Sequence, residues 1–254
     1  MLSEAGVDDM VVRSMTPYVH LGQESDFPAV DGYTSQLGFY RASGYPHNFT
    51  LGPVVDTRQN EHTQLIRDLG AAGTVLLKNT DGALLLNTPS SIGVFGNDAA
   101  DFTSGQYSLV LSSAALFDSG YNIGTLAVGG GSGTGRFSHV VSPLGAIKAR
   151  AESYGGIVQY ITDNDQIVHG GLTALAPVPL DVCLVFLKSW ASEGDDHAIA
   201  DWNSTAVVER TVAACKNTIV VLHGAAPNTM PWRNNPDVTA ILAGQYQGRR
   251  LATP

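Results

Sequence analysis

The feature that most constrains the fold is the run of apolar residues from Val182 to Leu187, which no polar residue interrupts. A short run of this kind, rich in β-branched and aromatic residues, is typical of a strand buried on both faces. Comparable short runs recur along the chain, at 92–96, 157–161, 218–222 and 238–242. Strands of this type need helices above and below them, so the sequence predicts an α/β fold with a mostly parallel, doubly covered sheet.

Helix signals separate these runs. A short helix is predicted within residues 1–22, with Pro17 closing it, and a second from the cap residue Asn60 through Gly70. Two more are predicted, one that starts at Ser142-Pro143 and one over 203–214. Residues 23–58 are rich in Gly, Pro, Ser and Asp and show no sustained periodicity, which predicts a linker. We therefore expect a helix and long linker in 1–58 and an α/β domain in 59–254.

The charge balance limits the possible partners. The chain holds 14 Lys and Arg against 23 Asp and Glu, a net charge of -9 at pH 7. Nucleic acids and anionic membranes attract proteins with a basic face, so neither is an expected partner. No apolar run approaches the length of a membrane span, and the first residues do not have the pattern of a signal peptide.

The two cysteines, Cys183 and Cys215, exclude a disulfide-rich framework and a Cys-rich zinc site. Each lies near the start of a predicted strand, so the two can be neighbours in space, but we expect buried free thiols. Asn48 and Asn203 each begin an N-glycosylation acceptor pattern, which is compatible with secretion.

The glycine-rich segment 129–135 invites comparison with phosphate-binding loops. A Walker loop requires Lys and then Ser or Thr after its last glycine, whereas Arg136 and Phe137 follow here, and no G-x-G-x-x-G is present. We expect instead a turn whose backbone passes close to another chain segment or to a sugar. The seven histidines show no metal-binding spacing, so no metal or cofactor is expected. For His223, which follows a predicted strand, a structural hydrogen-bonding role is expected.

Glu193 follows the most buried predicted strand. In open α/β sheets, ligands bind outside the carboxyl ends of the strands, and Glu193 lies there between the small residues Ser192 and Gly194. Its carboxylate would therefore be exposed to a cleft, although the position of Glu193 alone favours a solvated loop acid.

Several stretches together resemble the second domain of fungal β-glucosidases of glycoside hydrolase family 3, in order from about residue 60 to 244. They are 70–79, 84–86, 124–134, 141–147, 190–194 and 215–221. Residues 8–13 and 21–23 similarly look like the end of the preceding barrel domain. The resemblance implies a three-layer α/β/α sandwich that contributes the general acid/base to an active site shared with a TIM-like barrel.

The resemblance further implies retaining hydrolysis of terminal β-D-glucosyl residues, with Glu193 as the acid/base. The residues expected to shape the substrate cleft around it are Trp190, Ser192, Asp195, Gly131 and Ser132. The implied partners are a β-glucoside or cello-oligosaccharide substrate and the barrel that supplies the nucleophile. The implied location is extracellular, and the implied process is cellulose degradation.

The departures from the family pattern set further expectations. This chain contains no barrel, so we expect it to be inactive alone. Asp195 stands where many family members have an aromatic residue, and the likeness stops near Gly248, so the domain is expected to be truncated at its C-terminal end. The alternative is a non-catalytic sugar-binding or interaction remnant of the same fold.

Overall fold

The computed structural model describes residues 3–26, 61–103, 123–130, 140–175, 179–193, 202–225 and 227–246. The chain divides into two compact units, Met1–Arg58 and Gln59–Pro254. No helix in these described ranges is both long and apolar enough to cross a bilayer.

In the first unit, helix α1 spans Glu4–His20, and the Ser3 hydroxyl caps it by accepting from the Gly6 N–H. The prediction that Pro17 ends this helix is wrong, because Pro17 lies inside it. Proline has no N–H to donate and its ring crowds the carbonyl four residues earlier, but its own carbonyl remains an acceptor. Its carbonyl still accepts from the Leu21 N–H at 3.0 Å, so the last turn closes.

The second unit alternates helices and strands. Its elements are α2 (Glu61–Gly73), β1 (Val75–Asn79), β2 (Ser91–Phe95), α3 (Pro143–Glu152), β3 (Ile157–Ile161), α4 (Asn164–Gly170), β4 (Val182–Ser189), α5 (Ser204–Ala214), β5 (Thr218–Gly224) and β6 (Val238–Gly244). Short 3₁₀ turns lie at Thr173–Leu175 and Pro231–Asn234.

The six strands form one sheet in the order β1-β6-β5-β4-β2-β3. Every neighbouring pair is parallel except β1 and β6, which are antiparallel. All eight residues of β4 are buried, as the unbroken apolar run predicts. The mostly parallel sheet is therefore confirmed.

Side chains of β4 alternate between two hydrophobic cores. Cys183, Val185 and Leu187 belong to the core that includes residues of α4 and α5. Leu184 and Phe186 belong to the opposite core, which includes residues of α3. Helices thus cover both faces of the sheet, which gives the three layers expected.

Some local features differ from the sequence prediction. Helix α4 was not predicted, because seven residues are too few to show a helical period; the Asp163 carboxylate caps it by accepting from the N–H groups of Asp165 and Gln166. Strands β4 and β5 also run two residues further than predicted, to Ser189 and Gly224. This extension brings polar residues into the buried part of the sheet.

The expectation of two free thiols is wrong, because Cys183 and Cys215 form a disulfide. Cys183 is paired with Thr218 at the start of β5, and Cys215 lies just before that strand, after the end of α5. The strand pairing therefore brings the two cysteines to a Cα–Cα distance of 6.3 Å, which suits a disulfide.

Replacing both cysteines by alanine is expected to lower the free energy of unfolding by roughly 3–4 kcal/mol, because the bridge closes a loop with a sequence separation of 32. Urea denaturation of the oxidised chain and the double variant measures the difference. Alkylation of the unreduced, denatured chain provides the control: modification of both cysteines, or equal stability of the two proteins, would contradict the bridge.

Candidate functional site

The carboxyl ends of β2, β4 and β5 lie side by side, because β4 is between the other two and all three run parallel. Asn97 and Asp98 follow β2, and Trp190 to Glu193 follow β4. This is the edge at which open α/β sheets bind ligands.

Glu193 is exposed at this edge, while the loop that leads to it is partly buried. Trp190 is only 4% exposed and packs on Leu126 in a small hydrophobic cluster with Phe102, Trp202 and Tyr246. The loop therefore begins at a buried aromatic residue and leads to an exposed acid.

Gly129 and Gly130, the described part of the glycine-rich segment, lie against this loop. The Gly130 N–H donates to the Ala191 carbonyl at 3.0 Å. A Cβ atom on Gly130 would lie 2.3 Å from the Trp190 ring and 2.8 Å from the Ser192 hydroxyl oxygen. At these positions the glycines allow the close approach of another chain segment, one of the two alternatives that the sequence left open.

The other predicted site residues are distributed as follows. Asp195, Gly131, Ser132 and Asn48 lie outside the described residues. Asn203 is exposed at the start of α5, where its side-chain N–H donates to the Asp165 carboxylate at 2.9 Å. The assigned roles of all these residues stay predictions.

A buried polar cluster, formed by Asp98, Lys188 and His223, lies beneath the Glu193 loop. The three residues are at most 3% exposed. The Asp98 carboxylate accepts from the Leu126 N–H at 2.6 Å and is hydrogen-bonded to Nδ1 of His223. The structural role expected for His223 thus has its partner in Asp98.

Lys188 is adjacent to His223 in the β4–β5 register. Its ammonium donates to the Gly124 carbonyl at 2.7 Å and lies 5.2 Å from the centroid of the Trp202 ring, within cation–π range. The cluster thus links β2, β4, β5 and the segment 124–126 below the loop.

The turn after β2 brings Asp98 into this cluster. Gly96 has a φ of +98°, and a Cβ there would lie 2.1 Å from the Phe186 carbonyl oxygen, so only glycine fits. The Asn97 N–H then donates to the Asn164 side chain at 2.8 Å.

Sequence reasoning missed Asp98 and Lys188 as members of a site. For Asp98 the available signal was an acid just after a buried strand, the same kind of signal that drew attention to Glu193.

Burial lowers the pKa of Lys188 from 10.5 to about 8, and the neighbouring Asp98 carboxylate opposes this shift. In the unfolded chain the same group keeps its proton up to about pH 10.5. Between about pH 8 and pH 10.5 the unfolded chain binds more protons than the folded chain, so the free energy of unfolding rises with pH.

Replacing Lys188 by methionine, which keeps an unbranched side chain, is expected to remove this pH dependence. Between pH 7.5 and 9.5 the free energy of unfolding of the wild type should rise by about 2 kcal/mol more than that of the variant. Urea denaturation across this range measures both. Lys216→Met is the matched control, because the Lys216 side chain is 79% exposed. Parallel pH curves for wild type and Lys188→Met would contradict the shift.

Comparison with known proteins gives independent evidence of the family to which this chain belongs. The family model described as "Glycosyl hydrolase family 3 C-terminal domain" matches residues 74–253. "Probable beta-glucosidase G" of Emericella nidulans is 46% identical over 98% of this chain and 30% of its own length. "Probable beta-glucosidase A" of Aspergillus fumigatus is 36% identical over 96% of this chain and 29% of its own. The chain thus spans about three-tenths of the length of these relatives.

Solved structures agree with the fold. A β-glucosidase from Chaetomella raphigera aligns with a TM-score of 0.74 and 28% identity, over 98% of this chain and 33% of its own. A family 3 β-glucosidase from Neurospora crassa aligns with a TM-score of 0.63 and 32% identity, over 76% of this chain and 23% of its own. Because the family model covers most of the chain and the fold matches, the chain belongs to glycosyl hydrolase family 3, of which it carries the C-terminal domain.

Proposed function

We propose that this chain supplies the acid/base half of a retaining β-glucosidase, with Glu193 as the acid/base. The observation that carries the proposal is the exposed Glu193 at the carboxyl end of the central strand β4, on a loop whose first residue, Trp190, is buried. Two relatives that match nearly the whole chain are named as probable β-glucosidases, which supports this reaction class.

Retaining hydrolysis needs a second carboxyl group about 5 Å from the first, which a barrel domain would contribute. That carboxylate attacks the anomeric carbon, while the Glu193 carboxyl group gives its proton to the departing glycosidic oxygen. The resulting Glu193 carboxylate then takes a proton from water. The oxygen of that water attacks the anomeric carbon and releases the barrel carboxylate.

The acid step requires a protonated carboxyl group near the working pH, which removal from water or a neighbouring carboxylate favours. Docking of a barrel over the exposed Glu193 would provide both conditions. The proposed activity therefore depends on that partner, and the chain alone is expected to be inactive.

The proposed substrate is a β-glucoside or cello-oligosaccharide, and the proposed location is extracellular. Trp190, Ser192, Asp195, Gly131 and Ser132 are proposed to shape the wall of the cleft around Glu193. Asn48 and Asn203 are proposed as glycosylation sites; the exposure of Asn203 supports its assignment.

A chimera tests the proposal: this chain replaces the matching segment of the Emericella nidulans relative, which then provides the remaining domains. Hydrolysis of aryl β-glucosides is expected from the chimera and not from the chain alone. In the chimera, Glu193→Gln should lower kcat by roughly 10²–10⁴-fold for poor leaving groups, because the proton donor is lost. Azide should restore turnover of activated glycosides, since this nucleophile needs no deprotonation.

Glu209→Gln, an exposed position on α5, is the matched control and should have no effect. Full activity of Glu193→Gln would show that the acid/base assignment is wrong. A folded but silent wild-type chimera would favour the alternative, a non-catalytic sugar-binding remnant.

A further inference from the structure

The loop from Trp190 to Glu193 is held by two segments that are distant from it in sequence. The Gly130 N–H donates to the Ala191 carbonyl at 3.0 Å. On the other side, the Ala191 N–H donates to the Tyr246 hydroxyl at 3.3 Å, and that hydroxyl lies 3.5 Å from the Ala191 carbonyl oxygen. Both the N–H and the carbonyl of Ala191 are thus hydrogen-bonded, two residues before Glu193.

Steric contact fixes the same loop. A Cβ on Gly129 would lie 2.8 Å from the Ala191 carbonyl oxygen and 2.9 Å from the Tyr246 ring. A Cβ on Gly130 would lie 2.3 Å from the ring of Trp190, whose indole is packed in the cluster with Leu126. Because close-packed interiors do not tolerate such overlaps, any side chain at either glycine would displace the loop.

The Tyr246 hydroxyl is suited to this contact. Burial raises the pKa of Tyr246, and the hydrogen bond that the Ala191 N–H donates to its hydroxyl oxygen acts in the opposite direction. The group is therefore a neutral phenol at neutral pH, able to accept from the Ala191 N–H while it donates its own proton.

We propose that Gly130 and Tyr246 are positioning residues, which set the place of the Glu193 carboxyl group through Ala191 and Trp190. The proposal rests on the acid/base role proposed for Glu193. Neither residue is assigned a contact with substrate. Their effect is geometric: a displacement of about 1 Å in a reacting group costs on the order of 10²-fold in rate.

The first test is hydrogen exchange on the full chain, which does not depend on catalysis. Gly130→Ala and Tyr246→Phe should each speed exchange of the amides at 190–193 by about tenfold, with the amides of β4 unchanged. Gly73→Ala is the control for added volume, since a Cβ there meets no atom within 4 Å. Tyr160→Phe is the control for loss of a hydroxyl, since Tyr160 is 47% exposed. Unchanged exchange in both test variants would overturn the proposal.

The second test uses the chimera and compares aglycones. A displaced proton donor slows cleavage of poor leaving groups and has little effect on dinitrophenolate, which leaves without a proton. Gly130→Ala should therefore lower kcat about 10–100-fold for an alkyl β-glucoside, with KM little changed, and less than threefold for the dinitrophenyl glucoside. Tyr246→Phe should show the same pattern with a smaller effect.

The outcomes separate this proposal from the proposed function. Full activity of Glu193→Gln would remove the acid/base role, whatever the exchange data show. An inactive Glu193→Gln together with wild-type rates in both loop variants would overturn the positioning role alone. Equal losses on all aglycones would also overturn it, because they indicate general structural damage.

Discussion

The structure depends on the burial of β4 on both faces. Its odd and even side chains enter two separate cores, and every one of its eight residues is buried. Each of its buried Val, Leu and Phe side chains contributes on the order of 1.5–3 kcal/mol when it leaves water. The strand is therefore held rigidly along its whole length, and the chain emerges from it at one fixed point. The Glu193 loop starts at that point.

The same burial creates an electrostatic difficulty at the end of the strand. Lys188 is the seventh residue of β4, and its ammonium lies where water is excluded. A buried charge is costly unless hydrogen bonds and an opposite charge offset the loss of hydration. The Gly124 carbonyl, the Trp202 ring and the Asp98 carboxylate provide these partners. The cluster stabilises the turn after β2 and segment 124–126, which in turn pack beneath the loop.

Sequence reasoning found the five parallel strands, most of the helices and the position of Glu193, because each of these leaves a local pattern. Buried strands appear as unbroken apolar runs, and helix starts appear as cap residues such as Ser142, whose hydroxyl accepts from the Gly145 N–H. The bridge between Cys183 and Cys215 and the buried ionic cluster left no such pattern. Asp98 and His223 are separated by 125 residues, and nothing near either one in the sequence indicates the other.

The sequence by itself determined the type of each main element, the doubly covered sheet and the carboxylate that follows its most buried strand. Local hydrophobic periodicity encodes these features, since it reports which side chains must leave water. Only the tertiary structure decided which strands are neighbours, and with that the disulfide, the Asp98–His223 contact and the engagement of Ala191 by Gly130 and Tyr246. These contacts follow from strand order, which depends on the packing of the whole domain and which no single stretch of sequence specifies.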